Sequence, residues 1–236
     1  ACPTAEARVV QNCTACNNGA MSSLTDAPAP GLRERKRRAT RRAIQHAVLD
    51  LASERGYEHV TIEEISAQAD VSPRTFFNYF ASKEEAVVGD VPSLIDLHAT
   101  QRFLEEGTED NLLDGLGRVL EAAYSAINDD RAESQRRRVL LRENPALFAK
   151  RMAVLHDFED ELAELVERRL TADDHAGPHD PDALQQRARL IALIGFATVR
   201  FAYRLWIDAE DQSSLSSRIR QAFEELDSTL ATTYRP

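Results

Sequence analysis

Two side chains that can recognise nucleic-acid bases lie four residues apart, Arg74 and Asn78. A guanidinium can form two hydrogen bonds with guanine, and a carboxamide can form two with adenine. Positions four apart share one face of a helix, so both side chains can face the same ligand. Pro73, Thr75 and Tyr79 complete the predicted outward face, on which a hydroxyl can contact a base or a phosphate. These residue types favour binding to double-stranded DNA, and the alternative is an ordinary helical corner with polar surface residues.

Two signals for the start of a helix precede these residues in the chain. Thr61 and Glu64 have the spacing of a capping box, in which each side chain accepts from the other's backbone N–H. Ser72 and Pro73 combine a capping hydroxyl with a proline in the first turn. The interval between the two caps holds a helix of about two turns and a tight turn at residues 70 and 71, which is the layout of a helix-turn-helix.

Apolar residues at helical spacing provide the packing that this motif needs. We expect them to be buried among the first three helices. A fourth helix is predicted to begin at Ser82, with Glu85 as its box partner, and Lys83 in its first turn is a candidate phosphate anchor. The expected core residues are Ile62, Ile65, Ala69, Val71 and Phe76.

The charge distribution agrees with a local anion-binding surface. The net charge of the chain is -10, yet residues 33–42 hold seven basic residues and one acidic residue. Phosphate binding depends on local contacts rather than on whole-chain charge, so the acidic remainder does not exclude DNA. Arg37, Arg38 and Arg41 are therefore candidate DNA contacts. The alternative for such a run is a solvated, disordered basic tail.

The periodicity along the chain predicts an all-α fold of about nine helices. We expect a disordered tail at 1–32, with Met21 as a plausible natural start, a helix-turn-helix domain at 33–85 and a larger helical domain at 86–236. The first helix is expected at about 38–55 and the short helices after Thr61, Ser72 and Ser82. The remaining helices are expected near 111–127, 131–142, 144–170, 181–207 and 213–233.

At these residues the chain resembles the TetR family of transcriptional regulators. The resemblance covers Arg38 to about Asp90 and implies a DNA-binding regulator, most often a repressor that a small molecule releases from its operator. An activator, or a regulator that responds to no ligand, is the alternative. The matching segments are Gly56-Tyr57, Thr61-Ile62-Glu63-Glu64-Ile65, Ala69-Asp70-Val71-Ser72, Thr75-Phe76-Phe77-Asn78-Tyr79-Phe80 and Ser82-Lys83-Glu84.

The resemblance also implies roles for individual residues. Those that match Thr61, Thr75, Tyr79 and Lys83 contact phosphates in the family, and those that match Pro73, Arg74 and Asn78 lie where bases are read. The full expected DNA-binding set is Arg37, Arg38, Arg41, Thr61, Ser72, Pro73, Arg74, Thr75, Phe77, Asn78, Tyr79 and Lys83.

Two positions depart from the family pattern. Arg74 stands where glycine is usual, and Phe77 where tyrosine is usual. The change at Phe77 is expected to remove one phosphate contact and the change at Arg74 to add a base or phosphate contact, so the operator sequence cannot be carried over. The string Ser-Pro-Arg-Thr-Phe-Phe is similar to a subset that includes mycofactocin-type regulators, which are thought to sense acyl-CoA.

For the larger domain, the resemblance implies a homodimer through helices 181–207 and 213–233, on a palindromic operator. Two-fold symmetry suits paired half-sites. The effector is expected to be small and mostly apolar or acyl-type, although the same side chains can simply fill the core. The candidate pocket residues are Phe103, Leu116, Leu120, Tyr124, Leu141, Phe148, Met152, Phe196 and Tyr203.

Several function classes find no support in the sequence. No phosphate loop and no nucleophile with a base is present, so we expect neither an enzyme nor a cofactor. Cys13 and Cys16 have the spacing of half a zinc site without a second half, and no metal site is expected. We expect no membrane span and a cytoplasmic protein, because Arg200 and Arg204 interrupt the most apolar stretch.

Overall fold

The computed structural model describes residues 31–94, 97–105, 112–125, 127, 130–172 and 180–233. Within these ranges the chain is helical and contains no strand, which confirms the predicted all-α fold. Most of the predicted tail lies outside them. The described part has a short 3-10 turn, Tyr57–His59, and ten α-helices: α1 Leu32–Arg55, α2 Ile62–Gln68, α3 Pro73–Phe77, α4 Lys83–Val88, α5 Leu97–Glu105, α6 Leu112–Ser125, α7 Arg131–Glu143, α8 Pro145–Ala172, α9 Pro181–Ile207 and α10 Leu215–Thr233.

Two helices differ from the sequence-based expectation. Helix α1 begins at Leu32 rather than near Arg38, so the basic run is helical and continues the axis of the first helix. Helix α5 was not predicted at all. Its nine residues include only three large apolar side chains and are fewer than the stretch of about 11 or more over which a helical pattern is recognised.

Helices α1 to α4, which we call the head, enclose a small core of their own. The predicted core residues Ile65 and Phe76 are fully buried, and Ile62, Ala69 and Val71 pack against them, which confirms the expected packing. Leu140 of α7 and Leu147 of α8 complete this core from outside the head. The head is therefore attached to the rest of the chain through its own hydrophobic core.

Helices α5 to α10, which we call the body, surround a second and larger core. Leu116, Leu120, Leu162 and Trp206 are each at most 2% exposed there. A close approach of α9 to α6 requires Gly195, because a Cβ at that position would lie 2.8 Å from Leu116 Cδ2. The long helices of the body are thus held by interdigitated side chains and by one close helix contact.

Helix α9 is long and apolar enough to cross a membrane by length and composition alone, and it is the one such helix among the described residues. This criterion is weak for a single helix, because core helices of soluble proteins meet it too. One side of α9 is buried in the body, where Ala188, Ala192, Val199 and Trp206 are almost inaccessible. The apolar composition of α9 is explained in part by that buried side.

Candidate nucleic-acid interface

Helix α3 buries one residue and presents the others to solvent. Phe76 is fully buried in the head core, whereas Pro73, Arg74 and Asn78 are exposed. Phe77 is 54% exposed and packs its ring edge-on against Phe76, with centroids 5.5 Å apart. The side chains that sequence reasoning assigned to base recognition therefore share one accessible surface.

Hydroxyl groups at the start of α3 hold its first turn. Ser72 Oγ accepts a hydrogen bond from the Thr75 backbone N–H at 3.0 Å, and the Ser72 and Thr75 hydroxyls lie 2.9 Å apart. One of these hydroxyls donates to the other, so one hydroxyl hydrogen of the pair remains available to an outside acceptor. A phosphate oxygen is such an acceptor.

The predicted capping box at the start of α2 is confirmed. Thr61 Oγ1 accepts from the Glu64 N–H at 3.3 Å, and Glu64 Oε2 accepts from the Thr61 N–H at 3.0 Å. The Thr61 hydroxyl also donates to Glu64 at 2.9 Å, so a phosphate contact by Thr61 requires that this bond break. The Thr61 N–H and hydroxyl, followed by the Arg55 guanidinium, lower the pKa of Glu64.

The turn between α2 and α3 lies where the caps predict it. Asp70 adopts a left-handed backbone conformation with φ of 54°. The Val71 N–H then donates back to the Ser66 carbonyl at 2.9 Å, which closes the end of α2. This turn sets the direction in which α3 leaves α2.

Lys83 already uses part of its hydrogen-bonding capacity within the head. Its Nζ donates to the carbonyls of Tyr57 at 3.0 Å and Val60 at 2.9 Å and lies 4.2 Å from the centre of the Tyr57 ring. An ammonium has three hydrogens, so one is left for a phosphate. The Tyr57 hydroxyl in turn donates to Glu84 at 2.6 Å and lowers the pKa of Glu84 to about 2.

The three candidate arginines of α1 differ in their surroundings. Arg37 and Arg38 are exposed and pair with Glu34 on the same helix. Arg41 is half-buried, where its guanidinium donates to Asp90 at 2.7 Å and to the Tyr79 carbonyl at 2.9 Å. Arg41 thus ties α1 to the end of the α3 region, and the Tyr79 side chain is itself half-buried against the head core.

Two arginines of the body bind the end of α4 in the head. Arg137 Nε donates to the Val87 carbonyl at 3.0 Å, and Arg151 Nη1 donates to the carbonyls of Val88 at 3.0 Å and Asp90 at 2.9 Å. Burial, followed by the charge of Arg137, lowers the pKa of Arg151. We call this pair of arginines the latch.

Gly89 makes room for the latch. Its φ is +77°, in the left-handed region that favours glycine, and a Cβ there would lie 2.5 Å from Arg137 Nε. No sequence motif signals the latch, because its arginines are 50 or more positions from the carbonyls they bind.

Six of the nine predicted pocket residues come together in the body. Phe103, Leu116, Leu120 and Tyr124 are buried in its core, and Phe196 and Tyr203 pack against them. Burial raises the pKa of the Tyr124 hydroxyl to about 12. These side chains pack against one another as a core, which agrees with the simpler of the two expectations for them.

The other three predicted pocket residues lie elsewhere. Leu141 packs against the head core, while Phe148 and Met152 are 49% and 40% exposed. The physical reason is the direction of α7 and α8, whose adjoining ends lean on the head rather than on the body core. The structure therefore does not place these three side chains with the other six.

A cleft of about 800 Å³ lies where the head meets the body. The charged residues of its rim are Arg38, Arg42, Lys150 and Glu85, together with the paired Arg41 and Asp90, so basic groups outnumber acidic ones. Clefts of this size accommodate small organic ligands. None of the nine predicted pocket residues lines it, and the apolar wall is formed by Val88, Val91, Ala122, Ala123, Ile127 and Val154.

Helix α9 presents an apolar stripe on the side that faces away from the body. Leu190, Leu193, Phe201 and Leu205 are 58%, 46%, 51% and 48% exposed. With the exposed Ala197 they recur every three or four residues, so they form one continuous face. Contiguous exposed apolar surfaces are typical of sites that contact another protein, a membrane or a ligand.

Comparison with known proteins supports the interpretation of both regions. Residues 44–87 match the family model described as bacterial regulatory proteins, tetR family, and residues 110–231 match the model described as MftR C-terminal domain. The transcriptional regulator TcmR of Streptomyces glaucescens is 30% identical over 229 residues, which are 91% of this chain and 97% of that protein.

A protein named as a mycofactocin biosynthesis transcriptional regulator, MftR of Mycobacterium tuberculosis, is 27% identical over 80% of this chain and 90% of that protein. Among solved structures, one described as a TetR-family transcriptional regulator from Mesorhizobium loti is 19% identical, with a TM-score of 0.48 over 86% of this chain and 98% of that one.

Proposed function

Because the chain belongs to the TetR family and is a DNA-binding transcriptional regulator, we propose that it acts as a homodimeric repressor that a small ligand releases from a palindromic operator. The observation that carries the DNA-reading role is the exposure of Arg74 on α3 and of Asn78 directly after it, while Phe76 anchors α3 in the head core. A cytoplasmic location follows from this role.

In this proposal, Arg74 and Asn78 read bases while residues around them position the helix. Ser72 and Thr75 supply a hydroxyl hydrogen to a phosphate, and Lys83 supplies its third ammonium hydrogen. Arg41 acts as a positioning residue, because its contacts to Asp90 and the Tyr79 carbonyl hold α1 against the reading region. Arg37 and Arg38 provide charge for a neighbouring groove.

The proposed dimer forms through the apolar stripe on α9, with α10 beside it. Burial of the stripe against a second copy would remove four large apolar side chains from water, which favours association. A symmetric dimer presents two copies of α3 to DNA. Successive major grooves on one side of the duplex are about 34–36 Å apart, and two copies can bind them together.

The proposed effector site is the cleft between head and body. Its basic rim suits an acidic group, and its apolar wall suits a hydrocarbon chain, so an acyl-type ligand matches both sides. Arg151 of the latch donates to the carbonyls of Val88 and Asp90, and both residues border the same cleft. A ligand that displaces these residues would change the angle at which α4 leaves the body and would shift the population of head positions.

DNA recognition is tested by selection from a random-sequence duplex library with the full chain. We expect a palindromic consensus with half-sites one helical turn apart. Arg74→Ala should weaken discrimination at one base position by about 1–3 kcal/mol, whereas Arg168→Ala, an exposed arginine on α8, should leave it unchanged. Equal weakening of matched and mismatched duplexes by Arg74→Ala would contradict base reading.

The ligand response is tested on the selected duplex with long-chain acyl-CoAs, and with free CoA as the control. We expect an acyl-CoA to raise the thermal unfolding midpoint and to release the duplex, because binding to the folded state stabilises it. Arg42→Glu, which reverses a charge on the rim, should weaken both effects. A duplex affinity that no acyl-CoA changes would instead favour a regulator that does not respond to this ligand class.

A further inference from the structure

Three potential metal ligands from two helices meet where the head contacts the body. His46 lies on α1, Asp130 precedes α7 as its N-cap residue, and Glu133 lies in the first turn of α7. His46 Nε2 is 3.1 Å from Glu133 Oε2 and 3.8 Å from Asp130 Oδ2. One donor atom from each side chain lies within 4.8 Å of the other two.

These separations suit a zinc ion. Zinc binds imidazole nitrogen and carboxylate oxygen at about 2.0–2.2 Å, so neighbouring ligand atoms of a tetrahedral site are about 3.4 Å apart. The two distances from His46 lie on either side of that value. His46 and Asp130 are 39% and 38% exposed, which leaves a route for the ion and a position for a water ligand.

The two carboxylates are already oriented by other groups. Asp130 Oδ1 accepts from the Glu133 N–H at 3.0 Å, and Glu133 Oε1 accepts from Arg137 at 2.5 Å. The other oxygen of each carboxylate is the one near His46. Such outer contacts orient metal ligands before the ion binds.

The positive groups nearby determine what the ion must displace. Arg136 Nη2 lies 3.4 Å from His46 Nδ1, while Nη1 of the same side chain lies 3.4 Å from Asp50. Metal binding through Nε2 leaves the proton on Nδ1, so the contact with Arg136 is lost and the pairing with Asp50 is kept. The positive charge of Arg137 pairs with the carboxylate of Glu133, which is one of the two ligand carboxylates.

We propose that His46, Asp130 and Glu133 bind one divalent transition-metal ion, Zn²⁺ in particular, which ties α1 of the head to α7 of the body. The site joins side chains that are distant in the chain, since His46 and Asp130 are 84 positions apart. It is separate from the cleft and does not depend on the effector proposal. In the folded chain, the bound ion holds the head in the arrangement described here.

The test uses the full, untagged chain with Cys2, Cys13 and Cys16 replaced by serine, so that thiolates do not bind the ion. Isothermal titration with Zn²⁺, and visible absorption with Co²⁺, should give one ion per chain. His46→Ala should lower the affinity at least tenfold, since even the loss of an outer contact costs about 10–100-fold. His156→Ala is the matched control, because His156 faces a single carboxylate, Asp160, at 4.0 Å.

Thermal unfolding gives a second measurement. Zn²⁺ should raise the unfolding midpoint of the parent and of His156→Ala, and it should have no such effect on His46→Ala. Glu133→Gln should also lower the affinity, but its pairing with Arg137 makes it less decisive than the half-exposed His46. No binding by the parent, unchanged affinity in His46→Ala, or an equal loss in His156→Ala would overturn the proposal.

Discussion

The head and the body achieve order in different ways. The helices α2, α3 and α4 have seven, five and six residues, and each begins at a side-chain hydroxyl that caps it. The helices α8 and α9 have 28 and 27 residues and bury apolar side chains along their length. Helices as short as those of the head are not stable alone in water, so their position depends on caps and on a few buried side chains.

This difference concerns where candidate functional residues lie relative to the buried residues that hold them in position. In the head, the buried ring of Phe76 supports the exposed surface of the same short helix, which is the surface proposed to read DNA. In the body, the side chains that sequence reasoning assigned to a pocket largely pack with one another. Exposed polar side chains on a capped helix are thus more informative about function than buried apolar ones.

The largest expected effect separates the stability of the two regions. Phe76→Ala should destabilise the head by about 3–5 kcal/mol, because the fully buried ring leaves a cavity in the head core. The chain has one tryptophan, Trp206, and it lies in the body. In urea unfolding of this variant, we expect part of the circular dichroism signal to be lost at a lower urea concentration than in the parent. The midpoint followed by tryptophan fluorescence should be the same as in the parent.

Leu162→Ala in the body core is the counterpart of that change and should lower the fluorescence midpoint instead. If Phe76→Ala moves both transitions equally, head and body unfold as one unit. The comparison of two independently ordered regions would then be wrong.

The next effect concerns the junction of head and body. Gly89→Ala places a Cβ against Arg137 and in a left-handed conformation, at an expected cost of about 1–3 kcal/mol. Gly31→Ala is the matched control, because nothing lies within 4 Å of its Cβ position. Thermal unfolding and affinity for the selected duplex should both change for Gly89→Ala, and neither should change for Gly31→Ala.

Removal of a helix cap should distinguish the regions by function. Ser72 caps α3 and Asp180 caps α9, so each alanine substitution is expected to cost about 0.5–2 kcal/mol. Only Ser72→Ala should weaken duplex binding, because it removes both the cap of the five-residue helix α3 and one hydroxyl of the pair proposed to bind a phosphate. Equal duplex affinity for the two variants, measured by fluorescence anisotropy, would show that the cap does not position the reading helix.

The smallest expected effect depends on pH within the head. The Tyr57 hydroxyl lowers the pKa of Glu84 from its usual 4.5 to about 2, so this hydrogen bond favours the ionised carboxylate of the folded state. Its contribution to stability is complete above pH 4.5 and is lost as the pH falls toward 2. Tyr57→Phe should therefore be less stable than the parent at neutral pH, and acid titration of the unfolding free energy should show the difference shrinking. A constant difference across that range would exclude this cause.

Local signals in the sequence determined much of the head. The capping box at Thr61, the cap at Ser72 and the core positions Ile65 and Phe76 follow from interactions within a few residues, and the structure confirms them. The short helix α5 escaped prediction because its nine residues are fewer than the stretch of about 11 or more over which a helical pattern is recognised. The exposure of Arg74 and Asn78 also follows from local spacing. The short helix buries the side that carries Phe76, and Arg74 and Asn78 lie two positions from Phe76, on the other side.

Tertiary structure alone decided the contacts between distant segments. It placed Arg41 in a half-buried pair with Asp90, turned Phe148 toward solvent, and brought Arg151 to the end of α4. It also brought His46 to Glu133, although no spacing in the chain relates them. The physical reason is that caps and turns depend on neighbours along the chain, whereas a junction or a metal site depends on how separate helices pack.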